Sequence, residues 1–190
     1  MLTYFAAEHL IVSSYWSTQL PVDNLIPFCR FFILPYSTWY PLLIWVGIYL
    51  LCRDEDGFRR YMGFLAVTFF LSELIWLLFP NGQDLRPALV GGNDLCTWMV
   101  RGLYRIDTNT NVFPSVHVVG AIGAALAVWR CPNLQDRRKL RLGIAVLSAL
   151  ICLATLFIKQ HSVLDVLGGC AVAFPCGLVF YRKSAPVLVQ

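Results

Sequence analysis

Two histidines, an aspartate, a serine and two cations stand in local patterns suited to the chemistry of a phosphate ester. His161 and Asp165 are spaced i, i+4 in IKQHSVLD, so on a helix they share one face. A carboxylate there accepts one ring N–H of the histidine and orients the other nitrogen as a nucleophile. Ser115 and His117, in FPSVH, open a separate apolar run. At a helix N-terminus the unpaired backbone N–H groups and the dipole favour an anion, and His117 is available there as a general acid for a leaving oxygen. Arg86 and Lys159 supply fixed positive charge for the oxygens of a transferring phosphoryl group. Each residue also has a plainer reading. The two histidines can be an interfacial pair, Arg86 a headgroup anchor, Lys159 a snorkelling helix-end cation, and Ser115 an N-cap. His9 takes the structural reading.

The elements that must position these groups are membrane helices. Of 190 residues, 58% are hydrophobic and 14% charged, against about 25% charged in a soluble domain. The net charge of +4 reads as membrane topology rather than nucleic-acid binding, because excess Lys and Arg mark cytoplasmic loops. Five apolar segments, about 31–52, 61–79, 115–129, 142–158 and 162–181, approach the roughly 20 residues a span needs. The expectation is an all-α integral membrane helical bundle with five transmembrane helices. Pro35 and Pro41 should sit near the outer end of the first, where a lost backbone hydrogen bond is best tolerated. The seven cysteines, Cys29, Cys52, Cys96, Cys131, Cys152, Cys170 and Cys176, contain no C-x-x-C pair and read as small hydrophobes, not as a zinc site or disulfide framework.

Charge sets the orientation. Arg53, Arg59 and Arg60, then Arg130, Arg137, Arg138, Lys139 and Arg141, then Arg182 and Lys183 occupy alternate connections, which the positive-inside rule makes cytoplasmic. Arg86, Ser115, His117, Lys159, His161 and Asp165 therefore fall together on the extracytoplasmic face. Glu73, near the outer end of the second span, is costly in lipid unless paired or protonated. The stretch from Asp94 to Asp107 reads as an interfacial helix, with Arg101, Arg105 and Asp107 on a polar face and Leu95, Trp98, Met99 and Leu103 on the other. Gly168 and Gly169 permit close helix packing.

Arg86-Pro87, Pro114-Ser115-x-His117 and His161-x-x-x-Asp165 resemble, in order and rough spacing, the three motifs of the type-2 phosphatidic acid phosphatase superfamily, to which the vanadium haloperoxidases belong. PNGQDLRP, TNVFPSVH and KQHSVLD together are similar to a bacterial branch of small membrane members. The resemblance implies that His161 attacks phosphorus to form a phosphohistidine, that Asp165 orients it, and that His117 protonates the departing alcohol and then activates water. Arg86, Ser115 and Lys159 would bind the phosphate, with no metal or cofactor, in a bacterial plasma membrane. Residues 1–30 read as an interfacial segment or a truncated first helix ahead of a membrane-embedded domain over 31–190, and the family's usual six helices favour the truncated helix. Two positions depart from the family pattern. Phe79 stands where a lysine opens the first motif, and Ala154-Thr155 where Ser-Arg opens the third.

The function expected is hydrolysis of a lipid phosphate monoester or diphosphate, the partners being that substrate and membrane lipids, with no nucleic acid. A phosphotransferase, in which a lipid alcohol replaces water, would use the same residues. A non-catalytic phosphate-lipid binder is the alternative from another class, and the two missing cations speak for it. A transporter would instead place its ionisable groups near the midplane.

Overall fold

Inside hydrocarbon no water is available to backbone polar groups, so a crossing segment must satisfy its own N–H and C=O groups, as a helix does. The computed structural model describes residues 15–182, and there each of the five apolar runs is helical. A short helix α1 (Ile33–Ser37) is followed by α2 (Trp39–Arg53), α3 (Glu55–Leu78), α4 (Leu95–Ile106), α5 (Val116–Arg130), α6 (Arg138–Phe157) and α7 (Val163–Phe180). Four stretches, Arg30–Arg53, Glu55–Leu78, Arg138–Phe157 and Val163–Phe180, are long and apolar enough to cross a membrane. The protein is an all-α membrane helical bundle. The one sheet among the described residues is a two-stranded parallel ladder of β1 (Trp16–Ser17) and β2 (Asn81–Gly82). His9 and Lys183 lie outside the described residues.

Helix α5 has only 15 residues, and it packs against α2, α3, α6 and α7. Its sequence explains that central place. Val118, Val119, Gly120, Ala121, Gly123, Ala124, Ala127 and Val128 are all buried, and small residues let neighbouring helices approach closely. A Cβ on Gly120 would lie 2.8 Å from the Trp39 indole, and one on Gly123 would lie 2.5 Å from the Phe64 ring. A similar fit joins α5 to α7, where Gly169 faces the Ser115 carbonyl and Val118.

The first predicted span is not one regular helix. It breaks at Thr38, between α1 and α2. Pro41 has no N–H to donate to Ser37 four residues earlier, and its ring crowds that carbonyl. Two hydroxyls take over acceptors near the break: Ser37 Oγ donates to the Ile33 carbonyl at 2.7 Å, and Thr38 Oγ1 to the Pro35 carbonyl at 2.6 Å.

Helix α4 occupies the stretch read as interfacial, and protein covers part of its apolar face. Cys96, Thr97 and Val100 are buried, and Met99, Leu103 and Tyr104 pack on the cluster of Ile33, Tyr36, Val90, Ala154 and Ile158. Leu95 and Trp98 are 66% and 74% exposed. The apolar residues of the helix thus divide between a part against protein and a part turned outward. Arg101 reaches neither lipid nor solvent with all of its head, since it donates to the Val90 and Gly92 carbonyls.

Helices α2, α3, α5, α6 and α7 alternate in direction. One end of the bundle holds the Arg53–Glu55 turn, the Arg130–Arg138 connection and Tyr181. The opposite end holds the N-termini of α5 and α7 and the C-termini of α3 and α6. Glu73, on α3, is half-buried and has no ion-pair partner among the described residues.

Candidate active site

The two helix starts that the sequence marks as chemical lie side by side. Ser162 and Asp165 form a capping box at the start of α7: Asp165 N donates to Ser162 Oγ at 3.1 Å, and Ser162 N to Asp165 Oδ2 at 2.7 Å. This local motif fixes the carboxylate that faces His161. Asp165 Oδ2 lies 3.6 Å from His161 Nδ1. On the other side of the ring, His161 Nε2 lies 3.4 Å from His117 Nδ1. Three groups, separated in sequence by as many as 44 residues for the histidine pair, thus form a line from carboxylate to imidazole to imidazole. Asp165 is fully buried and His161 is 7% exposed.

His117 sits in an aromatic slot. The Tyr36 ring stacks on it with centroids 4.7 Å apart, and Trp39 lies at 4.5 Å on a tilted plane. Trp39 Nε1 donates to the His117 carbonyl at 3.0 Å, so the indole holds both ring and backbone. Ser115 is the N-cap of α5, its Oγ accepting from Val118 N. Its own N–H donates to the Asp165 carbonyl at 3.0 Å, which ties the start of α5 to the first turn of α7.

The two candidate cations lie on loops, and each donates to backbone carbonyls. Arg86 donates to the Asp107 carbonyl at 2.9 Å and to the Thr108 carbonyl at 2.6 Å, at the C-terminus of α4, and its guanidinium lies 4.6 Å from the Tyr104 ring centre. A cation at a helix C-terminus is favoured by the dipole. Burial pushes the Tyr104 hydroxyl up to about 12, against the opposing pull of Arg86. Nearby, Gln160 Nε2 donates to Asp107 Oδ2 at 2.7 Å.

Lys159 is 7% exposed and does not snorkel. Its Nζ donates to the Asp23 carbonyl at 2.7 Å. Burial pulls the ammonium below the usual lysine range, and the nearby Asp23 opposes that shift. The positions where the family resemblance expects further cations contribute none: Phe79 points outward, 65% exposed, and Thr155 is fully buried, its hydroxyl donating to the Cys152 carbonyl.

Sequence reasoning missed Asp23. It lies in a segment read only as interfacial or truncated, yet it is 1% exposed. Its Oδ1 accepts from Val163 N and its Oδ2 from Leu20 N, both at 2.7 Å. Asp23 therefore holds an N–H at the first turn of α7, two residues after His161, while β1 pairs with β2 alongside. Asp23→Ala would strand two N–H groups, at about 1–3 kcal/mol for a buried unsatisfied donor. The expected outcome is a lower melting temperature in detergent; an unchanged one would show that the segment does not brace the site.

These features define a helical membrane protein with a largely buried histidine–histidine–carboxylate line at one end of its bundle. The sequence model of the PAP2 superfamily matches residues 9–178, and the chain belongs to that superfamily. Membership supports a phosphatase-type function. No curated protein and no solved structure matches the chain significantly.

Proposed function

We propose that this protein hydrolyses a lipid phosphate monoester or diphosphate at the extracytoplasmic membrane face, through a phosphohistidine on His161. The observation that carries the reading is the line from Asp165 through His161 to His117, with contacts of 3.6 and 3.4 Å. Asp165 faces Nδ1, and a hydrogen bond from Nδ1–H to its carboxylate in the substrate complex leaves the Nε2 lone pair for phosphorus. As the Nε2–P bond forms, the P–O bond to the lipid breaks and His117 gives its proton to the departing oxygen. The lipid alcohol leaves, and neutral His117 takes a proton from water. The resulting nucleophile attacks phosphorus, the P–N bond breaks, and inorganic phosphate is released.

The phosphoryl group must enter between the two rings, whose centroids are 5.5 Å apart. Hydrogen bonds in an unliganded site are often long and tighten on binding. Arg86, Lys159 and the α5 N-terminus at Ser115 would carry the phosphoryl charge. Phosphate release from a panel of lipid phosphates by the detergent-purified protein tests the proposal. Free phosphate supports it, while transfer to an added alcohol without phosphate release points to a phosphotransferase.

A second outcome follows from the donor set. Among the described residues no group of three or more His, Cys, Asp or Glu side chains is arranged to hold a metal. EDTA should leave activity unchanged, and vanadate should inhibit, because its trigonal-bipyramidal adduct on a histidine resembles the transition state. Loss on chelation with recovery on adding a divalent cation would overturn the metal-free mechanism.

A further inference from the structure

We propose that Asn81 and Gln83 are positioning residues, each holding the loop that presents one of the two histidines. The assignment of effects on catalysis rests on the phosphatase reading; the tethers themselves do not. In an extended segment, residues two apart point to the same side, and Asn81 and Gln83 flank Gly82 in this way. Gly82 occupies the crowded other side, where an added Cβ would meet the Tyr15 ring at 2.8 Å and the Asn109 carbonyl at 3.0 Å.

Asn81, 1% exposed, is committed to the segment that leads into α5. Its Oδ1 accepts from Val112 N at 2.9 Å and Phe113 N at 2.8 Å, and its Nδ2 donates to the Phe113 carbonyl at 3.1 Å and the Phe79 carbonyl at 2.9 Å. Its backbone carbonyl accepts from Asn111 N at 2.6 Å. Gln83, fully buried, is committed to the other loop. Its Nε2 donates to the carbonyls of Lys159 and Gln160 at 3.0 and 3.2 Å, and its Oε1 accepts from Leu85 N.

Backbone strain marks the same two loops. The non-glycine residues with positive φ among those described are Asn111, at 53°, and Lys159, at 56°. Such conformations are costly for side chains with a Cβ and persist only where the surroundings over-determine them. Asn111 directly precedes the pair of N–H groups held by Asn81. Lys159 bears the carbonyl held by Gln83, two residues before His161. Each tether thus restrains a strained turn whose relaxation would move one histidine relative to the other.

The two residues should therefore fail differently. Gln83→Met keeps length and apolar volume but removes all three bonds, and it loosens the His161 loop. Phosphoenzyme formation should slow by about 10- to 100-fold, the cost of misplacing a reacting group by an ångström or so, and equally for p-nitrophenyl phosphate and an alkyl phosphate. Asn81→Leu loosens the approach to His117, so its loss should be several-fold greater for the alkyl phosphate, which needs the proton. KM should change less than kcat in both.

Ring 15N spectra of histidine-labelled protein in detergent supply a readout that needs no turnover. Gln83→Met should shift His161 more than His117, and Asn81→Leu the reverse. Should either variant fail to fold, Gln83→Glu and Asn81→Asp, which keep the acceptor and replace the donating NH2 by a second acceptor, take its place in both measurements. Equal perturbation of both rings by both variants, or native rates in the folded fraction with only a lower melting temperature, would overturn the proposal. If the parent protein hydrolyses no phosphate ester, the functional reading fails, and the ring spectra still decide the tethers.

Discussion

His161→Ala eliminates turnover with every phosphate ester, a drop of at least about 10⁴-fold in kcat, because without the nucleophile no covalent intermediate forms. The effect should be independent of the leaving group, since the lost atom bonds to phosphorus rather than to the departing oxygen. It should also be separable from folding. The His161 side chain contacts Asp165 Oδ2 at 3.6 Å and His117 Nδ1 at 3.4 Å, and its Nδ1 makes no hydrogen bond within the usual distance. Its removal therefore takes away little that braces the bundle, and the melting temperature should stay near that of the parent. Brief incubation with a 32P-labelled substrate followed by alkaline denaturation should leave label on the parent and none on the variant. Residual label at another residue, or multiple turnovers by the variant, would remove His161 from the nucleophile's role.

The helices were legible because their cause is local. An apolar run of the right length has one solution in lipid, and α3, α6 and α7 need only their own composition to be read. The break at Thr38 was foreshadowed by Pro41, but the site of the break depends on which carbonyls Ser37 and Thr38 reach, and that is set by side-chain geometry. In α4 the apolar residues were legible, but what covers each of them was not. Periodicity identifies an apolar residue but does not say whether protein or lipid covers it, and a helix lying at an interface offers both.

The candidate site divides in the same way. His161 and Asp165 share one turn, Ser162-x-x-Asp165 is a capping box readable from spacing, and Ser115 heads its helix as an N-cap. The juxtaposition of His117 and His161 followed from topology alone, once alternating charge had put both helix starts at one end. Asp23, Asn81 and Gln83 left no such trace. Each works chiefly through hydrogen bonds to distant backbone atoms, as far as 140 residues away for Asp23 and 77 for Gln83, and no period or local spacing encodes bonds of that kind. Asn81 and Gln83 lay inside the conspicuous PNGQDLRP stretch, where Arg86 drew attention because charge in a membrane protein demands a reason. A neutral amide in the same loop demands one only after it is found buried.

His117→Ala gives the most discriminating result, because the mechanism uses this residue twice. In the first step its proton goes to the leaving oxygen. A lipid alkoxide is a poor leaving group and needs that proton, so the loss with a lipid phosphate should be about 10²- to 10⁴-fold, the usual worth of a positioned general acid. p-Nitrophenolate leaves without help, so formation of the phosphohistidine from p-nitrophenyl phosphate should be largely spared. The second step still wants a base for water, and the variant has none at that position. It should therefore release a burst of p-nitrophenol, close to one equivalent per protein, and then slow to a steady rate far below that of the parent. The slot between Tyr36 and Trp39 would be left partly empty by the substitution, so His117→Phe, which fills it with an apolar ring, separates proton transfer from packing and should show the same burst. A burst in both His117 variants with none in His161→Ala fixes the two roles. The opposite pattern would exchange them, and equal losses with good and poor leaving groups would reduce His117 to a phosphate ligand.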